Sequence, residues 1–243
     1  MELAARIDRS VARSVEGENT VAVAFSGGVD SAVLAACARR RAKVVGCTGY
    51  AKPGEEARSR AAAAALEIDV AVARLTAEDV KRELARMRLP FEPTIMDRAL
   101  WCLYSVTAQS AAAAGARVLL LGQLADELFG GYAKYGIALR ERGPGDAMAM
   151  MESDFRGYAA RGRIRDVGAC SPWASARFPY EDSEVAGFAA SLPLSYKLTA
   201  TTRKAVLRRA AVLLGVPEWV AGAAKKAAQY SSGAQKLVAA SRF

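Results

Sequence analysis

The sequence predicts an α/β fold in which helices flank a parallel β-sheet. Short runs rich in β-branched residues alternate with helix-forming stretches through residues 20–131, which is the pattern of parallel strands joined by helical crossovers. The chain has 243 residues, of which 52% are hydrophobic, so it can bury a substantial core as one domain over 1–243. Its uninterrupted apolar stretches are far shorter than the ~18 residues that a membrane span needs.

The individual elements follow in chain order from their periodicity. An amphipathic helix is predicted over 1–16, where Leu3, Ile7, Val11 and Val15 recur every four residues. The predicted strands are Thr20–Phe25, Lys43–Tyr50, Asp69–Ala73 and Arg117–Leu121. The helices between them are predicted at Ser31–Arg41, Glu55–Leu66, 76–87 and Ile95–Ala114.

The second half of the chain is predicted to be helical. Strand signals stop after Gly131, and residues 132–243 combine helical stretches with glycine and proline breaks. We therefore expect an α/β core at 20–131, with a sheet of five or a similar number of strands. The helical C-terminal part is expected to pack over the carboxyl edge of that sheet.

Two compositional features restrict the chemistry. The sequence contains no histidine, which excludes Ser-His-Asp and Cys-His catalysis and any histidine-ligated zinc. Its four cysteines, Cys37, Cys47, Cys102 and Cys170, contain no Cys-x-x-Cys pair. We expect all four to be packing residues.

The positive charge is concentrated in the second half. The formal net charge is +9, and residues 132–243 carry 17 Lys and Arg against 9 Asp and Glu. A basic second half is suited to bind a polyanion, either a nucleic acid or the phosphates of a nucleotide. A solvated basic surface is the alternative interpretation.

A glycine-rich segment joins the first strand to the next helix. It reads Ser26-Gly27-Gly28-Val29-Asp30-Ser31. The glycines allow close approach of the backbone to a ligand, and the helix N-terminus and serine hydroxyls offer donors to phosphate. Asp30 suits an anion site only if a divalent cation lies between it and the phosphates, which points to a nucleotide with Mg²⁺. A tight strand–helix turn with a serine cap is the alternative.

Two motifs carry a resemblance to a known family. The segment 26–31 resembles the PP-loop of the ATP pyrophosphatase superfamily, HUP-like α/β enzymes that cleave ATP to AMP and pyrophosphate while adenylating a substrate. After the fourth strand, Leu121–Tyr132 reads Leu-Gly-Gln-Leu-Ala-Asp-Glu-Leu-Phe-Gly-Gly-Tyr, which resembles the signature Ser-Gly-Glu-Gly-Ser-Asp-Glu-Leu-Phe-Gly-Gly-Tyr of the asparagine synthetase domain. The resemblance implies ATP and Mg²⁺ as cofactors, with residues 26–31 and Gly122 binding the nucleotide.

The second motif also suggests a metal site. Parallel sheets gather ligands at the carboxyl ends of their strands, so Asp126 should face Asp30, and the two carboxylates can share one Mg²⁺. The alternative is that Asp126 and Glu127 form an acidic pair that complements the dipole of a helix N-terminus.

The C-terminal half continues the resemblance. Residues 175–182 resemble the family segment Glu-x-Arg-x-Pro-Phe-x-Asp, with Ser175 at the glutamate position. Lys204 and Lys226 match by position the two lysines that contact pyrophosphate in that family. For Lys204 a solvated helix face is the alternative, and Lys225 competes with Lys226 for the matching position.

The chain departs from the family pattern at two places. Members that use glutamine begin with a glutaminase domain whose N-terminal cysteine is the nucleophile, whereas this chain begins Met1-Glu2. We therefore expect that it does not hydrolyse glutamine itself. Gln123 replaces the signature glutamate, which is thought to act as base towards the nitrogen nucleophile. An amide cannot accept that proton, so Gln123 either alters the catalytic step or only positions the substrate.

The resemblance implies an ATP-dependent amide-forming ligase. Its favoured acceptor is the β-carboxylate of aspartate, with ammonia or another amine as nucleophile. The ammonia could be free or supplied by a separate glutaminase subunit, and a homodimer is also possible. The second hypothesis is an enzyme that adenylates an RNA base in tRNA, although the chain shows no cysteine pair for sulfur transfer and no RNA-binding module. The third hypothesis is a non-catalytic nucleotide-binding regulator. Because charged residues occupy the N-terminus, where a signal peptide would be apolar, we expect a cytoplasmic protein.

Overall fold

Five parallel strands in the order β3-β2-β1-β4-β5 form the centre of the structure. This computed structural model describes residues 1–52, 54, 56–199, 201–223 and 233–241. The strands are β1 (Thr20–Ala24), β2 (Lys43–Tyr50), β3 (Asp69–Arg74), β4 (Val118–Leu120) and β5 (Ser175–Arg177). The parallel α/β sheet expected from the sequence is thereby confirmed.

The last strand of the sheet comes from outside the predicted α/β core. β5 pairs with β4, where Leu119 lies opposite Ala176, and the Leu121 amide donates to the Arg177 carbonyl at 2.9 Å. The prediction that strands stop at Gly131 is wrong for this element. Ser-Ala-Arg is three residues long and contains no β-branched residue, so it carries neither the length nor the composition that marks a strand.

Helices cover both faces of this sheet. Their bounds are α1 (Glu2–Ser14), α2 (Val29–Ala38), α3 (Ala57–Ala65), α4 (Ala77–Arg86), α5 (Ile95–Ala113), α6 (Ala125–Phe129), α7 (Ala133–Arg142), α8 (Pro144–Gly157), α9 (Arg163–Cys170), α10 (Ser183–Ser191), α11 (Leu194–Lys197), α12 (Ala205–Leu213), α13 (Glu218–Gly222) and α14 (Ala234–Ala240). A π-helical turn at Tyr158–Gly162 joins α8 to α9, and a 3₁₀ turn at Pro179–Glu181 precedes α10. Among the described residues, no helix combines the length and hydropathy needed to cross a membrane.

Alternating side chains of β1 divide the core between the two faces. Val21 and Val23 pack into the apolar cluster that includes Ile7 of α1 and Leu34 of α2. Ala22, on the opposite face, belongs to the cluster that contains Ala108 of α5. This period of two is the expected behaviour of a strand buried on both faces.

The cysteines behave as the sequence predicted. Cys37, Cys47, Cys102 and Cys170 are all buried and unbridged. Burial raises the pKa of both Cys37 and Cys102 to about 12. These thiols are therefore protonated at neutral pH and serve as packing residues rather than nucleophiles.

The strand order places the two sequence motifs side by side. β1 is the central strand, with β2 on one side and β4 on the other, and Val23 pairs with Leu120 near the carboxyl ends. The crossovers leave β1 and β4 in opposite directions, which opens a crevice at the carboxyl edge of the sheet. The segments that follow β1 and β4 therefore meet at this crevice.

Candidate active site

A cavity of about 790 Å³ opens at the carboxyl ends of β1 and β4. Its lining includes Ser26 and Asp30 from the first motif and Gly122, Gln123 and Asp126 from the second. Its size lies within the usual range for small-molecule sites. The fold thus brings the two predicted motifs into one pocket.

The segment 26–31 forms a tight turn that opens α2. Gly27 has a φ of +66°, and a Cβ atom at this position would lie 2.8 Å from the Arg58 carbonyl oxygen, so a glycine is required. The Ser31 hydroxyl donates to the Gly28 carbonyl at 3.1 Å and accepts from the Ser26 amide at 3.3 Å. The first amides of an α-helix have no acceptor within the helix, and they lie at the positive end of its dipole. The turn is therefore shaped to hold an anion.

Two residues outside the motif hold this turn in place. The Arg58 Nε donates to the Gly27 carbonyl at 3.1 Å, and the Tyr180 hydroxyl donates to the Asp30 carbonyl at 2.9 Å. Tyr180 is fully buried, and burial raises the pKa of its hydroxyl well above the ordinary value. Sequence reasoning missed both contacts, although Tyr180 lies in the family-like segment 175–182.

Lys204 lies between the two predicted metal-binding carboxylates. Its Nζ is 2.6 Å from both Asp30 carboxylate oxygens and 2.6 Å from Asp126 Oδ1. The Lys204 side chain is only 2% exposed, so the interpretation that it lies on a solvated helix face is wrong. Burial lowers the pKa of the ammonium group, and the Asp30 carboxylate opposes that shift.

The positions of the Asp30 and Asp126 carboxylates also show whether their oxygens suit a divalent cation. Oxygens of Asp30 and Asp126 converge on one cationic atom. Within the described residues there is no cluster of three or more His, Cys, Asp or Glu that could hold a metal ion. Mg²⁺ at nucleotide sites takes one or two carboxylates, substrate phosphates and water. Two carboxylates match that donor set, and in this structure their oxygens contact the Lys204 ammonium group.

Close packing explains the second glycine of the Phe-Gly-Gly-Tyr segment. A Cβ atom at Gly131 would lie 1.8 Å from Asp126 Oδ1 and 2.2 Å from Lys204 Cε, so no larger residue fits. Gly130 has a φ of +72° and ends α6. Leu124 and Lys204 also adopt positive φ, at 71° and 58°. Such conformations cost energy in non-glycine residues and often occur at functional sites.

Asp126 and Glu127 have separate partners. Asp126 pairs with Lys204, whereas Glu127 Oε1 accepts a hydrogen bond from the Tyr132 hydroxyl at 2.8 Å. Burial is the largest effect on Glu127 and raises the pKa of its carboxyl group. Specific contacts thus account for both carboxylates, beyond a general interaction with the dipole of the short helix α6.

Gln123 makes two hydrogen bonds that the sequence did not indicate. Its Nε2 donates to Asp166 Oδ2 at 2.7 Å and to the Tyr104 hydroxyl oxygen at 2.9 Å. Asp166 lies on α9 and Tyr104 on α5. Neither residue belongs to a recognisable motif, so no sequence signal pointed to them.

Of the remaining predicted site residues, the structure describes Gly122 but not Lys226. Gly122 approaches α2 closely, since a Cβ atom there would lie 3.3 Å from the Asp30 Cβ. Lys226 and its competitor Lys225 lie outside the described residues.

Comparison with known proteins identifies the family. The family model for asparagine synthase matches residues 2–176 and 174–242. A protein of Methanocaldococcus jannaschii that carries the provisional name of a glutamine-hydrolysing asparagine synthetase is 26% identical, over 96% of this chain and 49% of its own length. The asparagine synthetase domain-containing protein 1 of Gallus gallus is 33% identical over 50% of this chain and 20% of its own. A Mycobacterium tuberculosis protein, also provisionally named a glutamine-hydrolysing asparagine synthetase, is 32% identical over 55% of this chain and 21% of its own. The chain spans at most about half the length of these curated relatives.

Proposed function

This chain belongs to the asparagine synthase family, and we propose that it is an ATP-dependent ligase that activates a carboxylate as its adenylate and transfers it to an amine. The observation that carries the proposal is the buried Lys204 ammonium group, 2.6 Å from both Asp30 and Asp126, two carboxylates that line the cavity. A cation and two acids next to an anion-binding turn suit phosphoryl chemistry on a nucleotide. In this proposal, residues 26–31 and Gly122 bind ATP.

The first step is attack by a carboxylate oxygen of the acceptor on the α-phosphorus of ATP. A new oxygen–phosphorus bond forms, the bond to the bridging oxygen breaks, and that electron pair leaves with pyrophosphate. Asp30 and Asp126 would hold Mg²⁺, which offsets the charge on the phosphates when it is bound. Lys204 stabilises the negative charge that develops on the leaving pyrophosphate.

Two arginines support this charge distribution. Arg58 and Arg208 are partly buried, and burial lowers the pKa of both guanidinium groups, whereas the Asp30 carboxylate raises it. Both are therefore close enough to Asp30 to interact with it electrostatically. Together with Lys204 they supply cationic charge around Asp30, next to the turn that we assign to the phosphates.

In the second step the nitrogen of an amine attacks the acyl carbon. A carbon–nitrogen bond forms, and the bond from carbon to the adenylate oxygen breaks, with its electron pair leaving on AMP. We propose the β-carboxylate of aspartate as acceptor and ammonia or another amine as nucleophile, delivered free or by a separate glutaminase subunit.

A cytoplasmic location belongs to the proposal, because the described cysteines are all unpaired thiols.

RNA-base adenylation receives no specific support from the site. Basic residues of the second half make ion pairs within the chain, as in Lys134–Asp154, Arg163–Glu181 and Arg165–Asp97. These basic residues are therefore engaged inside the chain, and one of the three pairs uses an acid of the first half, Asp97. Stimulation of the reaction by tRNA would overturn the choice of aspartate as the substrate.

Identification of the nucleotide products tests the proposal. The protein is incubated with ATP, Mg²⁺, L-aspartate and ammonium chloride, and the nucleotides are separated by anion-exchange chromatography. We expect AMP and pyrophosphate in equal amounts, formed faster when aspartate is present than when it is omitted. ADP with phosphate as the sole products would contradict the mechanism, and stimulation by tRNA but not by aspartate would favour an RNA substrate.

A further inference from the structure

A buried carboxylate lies behind Gln123. Asp166 has no exposed surface, and its Oδ2 accepts hydrogen bonds from Gln123 Nε2 at 2.7 Å and from the Tyr158 hydroxyl at 3.0 Å. Its Oδ1 accepts from Arg165 Nε at 2.8 Å. Arg165 also donates to Asp97, at 2.9 Å, so one guanidinium group joins two carboxylates.

Asp166 fixes which way the Gln123 amide faces. Asp166 accepts hydrogen bonds from Tyr158 and Arg165, and as an acceptor it is faced by the NH₂ end of the amide. The second N–H of the amide is directed to the Tyr104 hydroxyl oxygen at 2.9 Å. Both amide protons thus have protein acceptors. Among the described residues, no donor reaches the Gln123 Oε1, and Gln123 lines the cavity. The carbonyl oxygen is therefore available to a ligand.

The same contact explains why residue 123 is an amide. A glutamate there would place a carboxylate oxygen about 2.7 Å from Asp166 Oδ2, at the distance now joining Nε2 to that atom. Two carboxylates at this distance do not both ionise, and they titrate as a pair that shares one proton. The amide makes the same hydrogen bond without a titrating proton.

We propose that Asp166 is a positioning residue that acts through Gln123 to build an acceptor site for the N–H of the attacking amine. The inference rests on the proposed function and refines it: Gln123 Oε1 accepts one N–H of a neutral amine, and the lone pair of that amine attacks the acyl carbon. Gln123 takes no proton, so the proton leaves to solvent.

The tyrosine hydroxyls beside Gln123 and Asp166 do not act as bases at neutral pH. The titratable or charged groups that face the pair are Tyr104 of α5, Glu127 of α6, Tyr158 of the π-helical turn, and Arg165 and Cys170 of α9, with Asp97 behind Arg165. Burial is the largest influence on Tyr104 and Tyr158 and raises the pKa of each hydroxyl above its ordinary value. Both hydroxyls therefore stay protonated at neutral pH. The amide-forming step should accordingly speed up as pH rises through the range in which ammonium loses its proton.

Three variants and a control test the inference. D166N removes the carboxylate, Q123E introduces a second one, and Q123E/D166N exchanges the amide and the carboxylate. E83Q is the matched control, because Glu83 is equally buried and hydrogen-bonded but binds Ser105 and Arg86 between α4 and α5, away from the cavity. Aspartate-dependent exchange of labelled pyrophosphate into ATP reports adenylation. Amide formation from ammonium, as a function of pH, reports the second step.

We expect D166N and Q123E each to lower kcat/KM for ammonium about 10–100-fold relative to pyrophosphate exchange, as for a lost hydrogen bond to a charged group. Q123E/D166N should recover most of that loss, because one amide and one carboxylate again face each other. E83Q should keep the wild-type ratio. If D166N slows exchange as much as amide formation, or if the double variant is as poor as the two single changes combined, the positioning role is wrong.

A titration separates this inference from the proposed function. In Q123E, the carboxyl group introduced at position 123 is followed by ¹³C NMR, without any substrate. Its pKa should lie above the ordinary range when Asp166 is present and return to that range in Q123E/D166N. Equal values in the two proteins would overturn the coupling. If the wild type shows no aspartate-dependent pyrophosphate exchange while the pKa at position 123 still depends on Asp166, only the proposed function fails.

Discussion

Replacing Asp30 with asparagine is expected to abolish pyrophosphate release and leave the fold intact. Both Asp30 oxygens lie 2.6 Å from Lys204 Nζ, and we assign the same oxygens to Mg²⁺. Asparagine has nearly the same shape but no charge, so the cation site loses an anionic ligand while the packing is kept. Loss of ligands or of their supporting partners at such sites costs about 10–100-fold or more in affinity or activity. Pyrophosphate release is measured with a coupled assay and the fold by circular dichroism.

The control for this variant is Asp8→Asn. Asp8 is also an ion-paired aspartate, held by Arg41 at 2.6 Å, but it lies on α1 and does not line the cavity. We expect its substitution to leave pyrophosphate release unchanged. A second readout is binding of the Mn²⁺–ATP complex by electron paramagnetic resonance, which should weaken only in D30N. Full activity of D30N would remove Asp30 from the metal site.

Lys204→Met should lower kcat by about 10²–10³-fold, more than it raises KM for ATP. A preorganised cation that acts on the leaving pyrophosphate contributes mainly in the transition state, and removal of one such donor costs about this much. The measurement is the steady-state dependence of pyrophosphate release on ATP concentration.

Lys204→Met also removes a buried charge, so its effect on stability needs a matched control. Removing one partner of a buried ion pair typically destabilises a protein by about 3–5 kcal/mol, so the melting temperature is recorded alongside. Lys197→Met provides the comparison, because Lys197 is another buried lysine, which lies on α11. Burial lowers the pKa of that ammonium group too. A folded K204M protein with unchanged kcat would contradict a catalytic role for Lys204.

The sequence predicted the parts of the fold that have a local signature. β1 to β4 and the helices between them have β-branched runs or helical periodicity, and α4 and α5 begin with the capping boxes of Thr76 and Thr94. β5 has no such signature, because its three residues become a strand only through pairing with β4. A short edge strand of this kind is set by tertiary contacts rather than by its own composition.

The contacts of the candidate site likewise include some that the sequence could predict and some that it could not. Asp30 and Asp126 could be paired from the sequence, because each follows a parallel strand and the carboxyl ends of such strands meet. The insertion of Lys204 between them depends on how α12 docks, and the contacts of Gln123 with Asp166 and Tyr104 depend on the packing of α9 and α5. Side chains that meet across helices far apart in sequence leave no spacing pattern to detect. The amide at position 123 was visible as a departure from the family, but its physical reason was not.

The transfer of an oxygen atom tests the central claim most directly, because adenylation joins the acceptor carboxylate to the α-phosphorus. L-Aspartate labelled with ¹⁸O in its side-chain carboxylate is incubated with the protein, ATP, Mg²⁺ and ammonium chloride, and AMP is analysed by mass spectrometry. Attack by the carboxylate predicts one ¹⁸O atom in each AMP released with amide product. AMP that forms together with the amide but carries no label would contradict an acyl-adenylate intermediate.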